Sequence, residues 1–220
     1  MSIRPLVYPL CLLVGSLLAV TAGALHPDMV SEDGPAQLAH IAHSEGWRAI
    51  HWMFLFSFPI ALTGLVGLAR VHAGTPGENA VRAGLIVATF AYAAWTIIVA
   101  FMGGAGWSLA HSYTVSDAGV TATRAVFLYD MLRPFALAAQ RVAGFALGLS
   151  TLLFGWGVVD GKVLRRWLGS GGMVAGAVGM ALALVFREDT KADQAAFVLP
   201  VVWQLVAAGV MLRRAASVAP

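Results

Sequence analysis

Histidine carries most of the chemistry open to this chain. Five of its six histidines, His26, His40, His43, His51 and His111, fall in polar or boundary stretches that alternate with apolar runs. An imidazole can ligate a metal ion or a haem iron, pass a proton, or hydrogen-bond a ligand. If residues 36–58 form one helix, each advances about 100°. His40, His43, Trp47, His51, Phe54 and Phe58 then lie within about 60° of a single line. At positions i and i+3, His40 and His43 could share a metal ion. His51 is roughly 12 Å further along a straight helix. It joins them only through a bend, for which Gly46 is the obvious place. His26 and His51 flank the polar stretch between the first two apolar runs, so they could face each other across a helix pair. That is the geometry a haem b with two axial histidines requires. The plain alternative is that these rings anchor the chain at a membrane interface, where an apolar body and a polar tip are both satisfied. His72, beside Arg70, reads as a solvated loop residue.

A second group could bind an anion. Trp107 follows a glycine-rich run, and Asp130, Arg133 and Arg141 fall near the start of the fourth apolar segment. Two arginines under an outer helix could hold a lipid phosphate, a carboxylate or a quinone head, with Asp130 pairing one of them. Snorkelling of the arginines to the headgroups gives the same pattern without a ligand. No motif of higher specificity occurs: HExxH, GxxxxGK[ST], GxSxG and CxxCH are all absent. Ser108, His111, Ser112, Ser116 and Asp117 crowd one loop too closely for a triad. Cys11 is the only cysteine, which excludes an intrachain disulfide and CxxC redox chemistry.

The elements that must position these residues are membrane spans. With 59% apolar residues, 11% charged residues and a mean hydropathy of +0.79, the composition is that of an integral membrane protein. Apolar runs occur at roughly 6–25, 49–69, 83–102, 136–157, 168–186 and 195–212. Each approaches the ~20 helical residues that cross a bilayer core. The first is long for a signal peptide, although Ala22-Gly23-Ala24 resembles a cleavage site, and it reads as a retained helix. Pro59 and Pro200 fall inside spans. Pro134 restricts Arg133, and a helix starting at Ser116 or Asp117 is expected to end near Leu132. Gly144/Gly148 and Gly172/Gly176 have the four-residue spacing of close helix packing, within the chain rather than between copies.

The charges of the connecting stretches sort by sign. Arg4, Arg70, Arg82, Lys162, Arg165, Arg166, Arg213 and Arg214, against Glu78 and Asp160, net +6 on one side. Arg48, Arg124, Arg133, Arg141, Arg187 and Lys191, against Asp28, Glu32, Asp33, Glu45, Asp117, Asp130, Glu188, Asp189 and Asp193, net −3 on the other. The positive-inside rule then assigns both termini to the cytoplasm and the histidines to the outer face. A sequence pI near 9.4 thus reflects loop anchors, and nucleic acid is not an expected partner. No Asp, Glu, Lys or His lies in the middle third of any span. Gln204 stands as a polar exception there, and Gln140 with Arg141 near the outer end of the fourth, which disfavours a carrier of charged solutes.

The stretch Gly23-Ala24-Leu25-His26-Pro27, followed by an acidic loop and Trp47-Arg48-Ala49-Ile50-His51-Trp52, resembles multi-pass bacterial membrane proteins whose first helix ends in Leu-His-Pro. That resemblance covers about 50 residues and implies an inner-membrane location but no particular activity. The chain is similar in helix count to six-helix diheme cytochromes b. It departs from them in lacking histidine pairs within its third to fifth spans.

The expectation is an all-α bundle of six transmembrane helices over residues 1–220, both termini cytoplasmic, with a partly helical outer cap built from loops 1 and 3. Three functions fit it. Base rates favour an accessory subunit packed among other membrane subunits. The alternatives are a metal- or haem-binding redox protein using the histidines, and a lipid or quinone binder beneath the cap.

Overall fold

A computed structural model describes residues 6–27, 33–115, 119–186 and 191–218, the side chains of 191–193 and 218 excepted. The expected helix cap at Ser116 or Asp117 and the polar turn at 187–190 lie outside the described residues. Among those residues every regular element is helical. In order these are α1 (Val7–Leu25), α2 (Gly34–His43), α3 (Trp47–Val71), α4 (Glu78–Ala100), a π-helical segment (Phe101–Gly106), α5 (Trp107–Val115), α6 (Val120–Gly161), α7 (Arg166–Val185) and α8 (Lys191–Val218).

Six of the helical stretches are long and apolar enough to cross a membrane: Val7–Leu25, Trp47–Val71, Glu78–Val115, Val120–Gly161, Arg166–Val185 and Gln194–Ser217. They match the six apolar runs of the sequence. Helices satisfy their own backbone hydrogen bonds, the condition that lipid imposes on any spanning segment. Large apolar side chains such as Leu17, Ile86, Phe90, Val174 and Leu184 point outward, as the bilayer environment requires.

These helices close into a ring. Neighbours in contact run α1–α3–α4–α6–α7–α8 and back to α1. Inside it, Leu12, Phe58, Leu65, Tyr92, Leu147, Phe154, Val201 and Trp203 form the main core. Gln204, the polar residue expected in the sixth span, ties three helices together. Its Oε1 accepts from the Tyr92 hydroxyl at 2.9 Å and, more weakly, from the Ser16 hydroxyl at 3.4 Å. Gln204→Leu strands two buried hydroxyls, so we expect a loss of about 1–3 kcal/mol, read as a lower midpoint of thermal aggregation in detergent.

Two helical stretches overshoot the bilayer. The 42 residues of α6 extend roughly 63 Å, about twice the hydrocarbon thickness. The expected break at Pro134 does not occur; α6 runs through it. Ala125 and Tyr129 before the proline and Ala136 and Ala143 after it are all buried. That packing on both flanks offsets the lost backbone hydrogen bond. The overshooting ends of α5 and α6 pack with α2 around Leu38, Ile41, Trp47, Ala110, Ala125 and Tyr129, a second core at one end of the bundle.

The helix supposed over 36–58 is two helices. α2 stops at His43, and the Ser44 hydroxyl bonds back to the His40 carbonyl. Gly46 at φ 77° turns the chain into α3 through a left-handed conformation that glycine adopts without strain. Glycine spacing in the second half does what it was expected to do within the chain. Gly148 of α6 meets the backbone of Gly176 in α7, and Gly155 meets that of Gly169 and Gly172.

Candidate functional site

Between the ring and the end layer lies a cavity of about 160 Å³, reached from α1, α2, α3, α4, α6 and α8. Its organising residue is Trp47, the first residue of α3 and only 1% exposed. The Trp47 indole N–H donates to the Met102 carbonyl at 2.9 Å. That carbonyl belongs to the π-helical segment, whose wider i→i+5 turns are frequent at functional sites. One glycine makes the approach possible. A Cβ on Gly103 would lie 2.6 Å from Cβ of His51.

Trp47 in turn sets both histidines. Its ring centroid is 4.5 Å from that of His51 and 5.3 Å from that of His26. The two imidazoles touch edge to face at 5.2 Å, so the hairpin of α1 and α3 brings His26 and His51 together as their spacing suggested. His51 is buried, and its Nδ1–H donates to the Trp47 carbonyl at 2.7 Å. A carbonyl only accepts, so the ring's Nδ1 carries the proton. The neutral ring then offers Nε2 as an acceptor. Among the described residues no hydrogen bond reaches that Nε2, and the ring lines the cavity. His26 is arranged alike, with Nδ1–H donating to the Pro27 carbonyl at 2.9 Å.

Aromatic side chains form the apolar wall. Phe54, Phe197 and Trp95 contact one another edge to face, at 5.9 Å for Phe54–Phe197 and 4.9 Å for Trp95–Phe197. The Trp95 indole nitrogen is buried and has no hydrogen-bond partner among the described residues. A buried orphan donor beside a cavity calls for an acceptor there. Across from it stand Arg133 and Gln140 of α6, Gln194 of α8, and the buried pair in which the Tyr129 hydroxyl donates to Gln37 Oε1 at 2.6 Å. Gly23, Gln194 and Val198 are exposed lining residues.

The other expected site residues go elsewhere. His43 is exposed, and its Nδ1–H bonds the Ala39 carbonyl within α2. His40 lies half-buried in the same helix, and its Nε2 has no partner among the described residues. The break at Gly46 separates both from the His51 face. His111 stacks on Trp107 at 5.5 Å, and the Arg48 guanidinium covers the same indole at 4.5 Å. That stack is apart from the cavity lining. Arg141 donates to the Phe186 carbonyl at 3.3 Å. The Asp130 carboxylate lies against Gly34 at the start of α2 and reaches neither Arg133 nor Arg141. Of the supposed anion site, only Arg133 faces the cavity.

Metal and haem fit this arrangement poorly. Among the described residues no three His, Cys, Asp or Glu side chains come together as a ligand set. A haem iron takes an axial nitrogen on each face at about 2 Å. Two imidazoles in edge contact at 5.2 Å leave no gap for the macrocycle.

His72 is the residue most misjudged from sequence. It is fully buried, folded back from the end of α3 so that Nδ1–H donates to the Leu68 carbonyl at 2.9 Å. Loss of solvation lowers its pKa below the usual 6.5. The Leu68 hydrogen bond opposes that shift and the nearby Arg214 charge adds to it. The folded protein thus binds the His72 proton less readily than the unfolded chain. Stability is therefore retained above pH 6.5 and falls as pH drops below it. We expect the thermal midpoint to fall between pH 7 and pH 5, with a shallower fall in His72→Gln, measured by light scattering in detergent.

Gln37, Trp95, Tyr129, Gln194 and Phe197 are lining residues that spacing alone did not single out, whereas Phe54 lay on the stripe with His51. For Gln37 the available signal was a polar residue on the apolar face of a short amphipathic helix. Searches against protein-family models, curated proteins and solved structures find no match to this chain.

Proposed function

We propose that this protein is a bacterial inner-membrane binder of a lipid-soluble molecule with an oxygen-bearing head, a quinol or a hydroxylated lipid. In this reading both termini are cytoplasmic, and the layer of α2, α5 and the start of α6 is an outer cap over the binding cavity. The observation that carries it is the polar inventory of one aromatic-walled cavity. Among the described residues, Trp95 Nε1–H is a buried donor without an acceptor, and His51 Nε2 is an acceptor that no donor reaches. A hydroxyl both accepts and donates, so a phenol or quinol head can answer both. A small number of convergent polar groups in an otherwise apolar cavity is the usual make-up of a ligand site. Exposed lining residues on α1 and α8 leave an apolar tail a route to lipid.

Accessory-subunit and metal readings have less behind them. Exposed apolar faces are common to all spanning bundles, and the histidines lack a third ligand among the described residues. Titration of the detergent-purified protein with a short-chain alkyl hydroquinone tests the proposal, with tryptophan fluorescence as readout. Saturable quenching at micromolar concentration is the expected result. Absence of saturation, together with an organic extract free of hydroxylated or quinonoid lipid, would reject it. Reporter fusions placing Arg165 outside would reject the topology.

A further inference from the structure

A second site lies at the other end of the ring. α6 ends at Gly161, the chain turns through Lys162 at φ 55°, and α7 begins at Arg166 beside the last turns of α8. Between them runs a groove of about 430 Å³ lined by Arg165, Arg213 and Arg214 on its polar side and by Trp167, Leu164 and Val210 on its apolar side. One guanidinium is fixed in place: Arg214 Nη1 donates to the Val163 carbonyl at 2.6 Å. None of the three arginines has a carboxylate partner among the described residues. Glu78 pairs with Arg82, and Asp160, the acid nearest in sequence, accepts from the Trp156 indole at 2.6 Å. Three unneutralised guanidinium groups around one groove repel each other unless an anion sits among them. The N-terminus of α7 adds open backbone N–H groups, since no side chain caps it.

The geometry points to a binding site for the phosphodiester head of an anionic phospholipid. Guanidinium groups recognise phosphate oxygens through paired N–H donors. Trp167, 54% exposed at the end of a spanning helix, supplies the amphipathic surface suited to the interface between head and acyl chain. Basic grooves between spanning helices at the cytoplasmic surface are where such heads bind. A lipid is favoured over free phosphate because one side of the groove is apolar and continuous with the lipid-facing surfaces of α7 and α8. The site is independent of the cavity at the opposite end, and neither proposal needs the other.

Native mass spectrometry of the delipidated full chain, given phosphatidylglycerol or phosphatidylethanolamine with matched acyl chains, tests the assignment. Phosphatidylglycerol should be retained preferentially, and Arg165→Gln with Arg213→Gln should lower its affinity by roughly 25-fold, about fivefold for each charge near the membrane surface. Both side chains are exposed and hold no bond to the described residues, so the fold should persist. If the double variant aggregates, Arg213→Gln alone carries the test. Arg82→Gln removes one charge from the start of α4, outside the groove lining, and should change retention less than twofold. Equal retention of the two lipids would overturn the assignment, as would a loss in Arg82→Gln matching that in the groove variants. Displacement of the lipid by millimolar inorganic phosphate would assign the groove to the free ion instead.

Discussion

Gly155→Leu is expected to lower the thermal midpoint more than any other single substitution considered for this protein. A Cβ at Gly155 would lie 2.5 Å from the Met173 nitrogen, 2.6 Å from the Gly169 carbonyl oxygen and 2.9 Å from the Gly172 carbonyl carbon. All three are backbone atoms of α7, which cannot rotate aside as a side chain tip can. Leucine therefore separates α6 from α7, and α6 also contacts α4, α8 and the end layer. Overpacking costs about 1–3 kcal/mol where side chains can adjust, and more where they cannot. Per kcal/mol a chain of this size shifts by ~2–4 °C, so a fall of at least ~6 °C is the expected result. Gly171→Leu is the control. Nothing lies within 4 Å of a Cβ there, and its midpoint should match that of the unsubstituted protein. Equal midpoints for the two variants would mean that α6 and α7 do not touch through their backbones.

His51→Phe should weaken hydroquinone binding by about tenfold or more while leaving the bundle intact. Phenylalanine preserves a flat ring against Trp47 and His26, so the aromatic stack and the contact with Gly103 remain. It removes Nε2, the acceptor facing the cavity, and leaves a bound hydroxyl unpaired, a loss of about 1–3 kcal/mol. Trp95→Phe acts through the opposite polarity, removing the donor, and the same direction is expected. Affinity unchanged in both variants would remove the polar inventory from the binding account. A lowered midpoint without weaker binding would mean that His51 serves the fold alone.

Hydropathy made the six spans legible because each must present about 20 apolar residues to lipid, whatever its neighbours do. The meeting of His26 and His51 was legible for a similar reason. An antiparallel pair of helices sets the end of the first beside the start of the second, and both histidines occupy those ends. What could not be read depends on contacts distant in sequence. Tyr129 and Gln37 are 92 residues apart, and only the packing of α2 onto α6 joins them. Pro134 misled because its local preference was outweighed by packing on both sides of α6. His72 misled because polar neighbours suggested a loop, whereas the ring folds inward beneath it. The stripe across 36–58 assumed a helix that Gly46 interrupts, which removed two histidines from the expected group and left His51 against Trp47 and His26 in the cavity lining.

The π-helical segment at Phe101–Gly106 makes the number of residues there a constraint in its own right. Deleting one glycine from Met102-Gly103-Gly104-Ala105-Gly106 would hardly change composition or hydropathy. Yet it would let the turn tighten to an ordinary α-helix and rotate everything beyond it by about 100°. Trp107, which lies beyond the deletion, would swing away from Arg48. Substitutions in this segment are graded changes, but a shift in its count is a change of phase. Any engineered variant of the end layer therefore has to conserve the tally of residues between Ala100 and Trp107 before it conserves their identities.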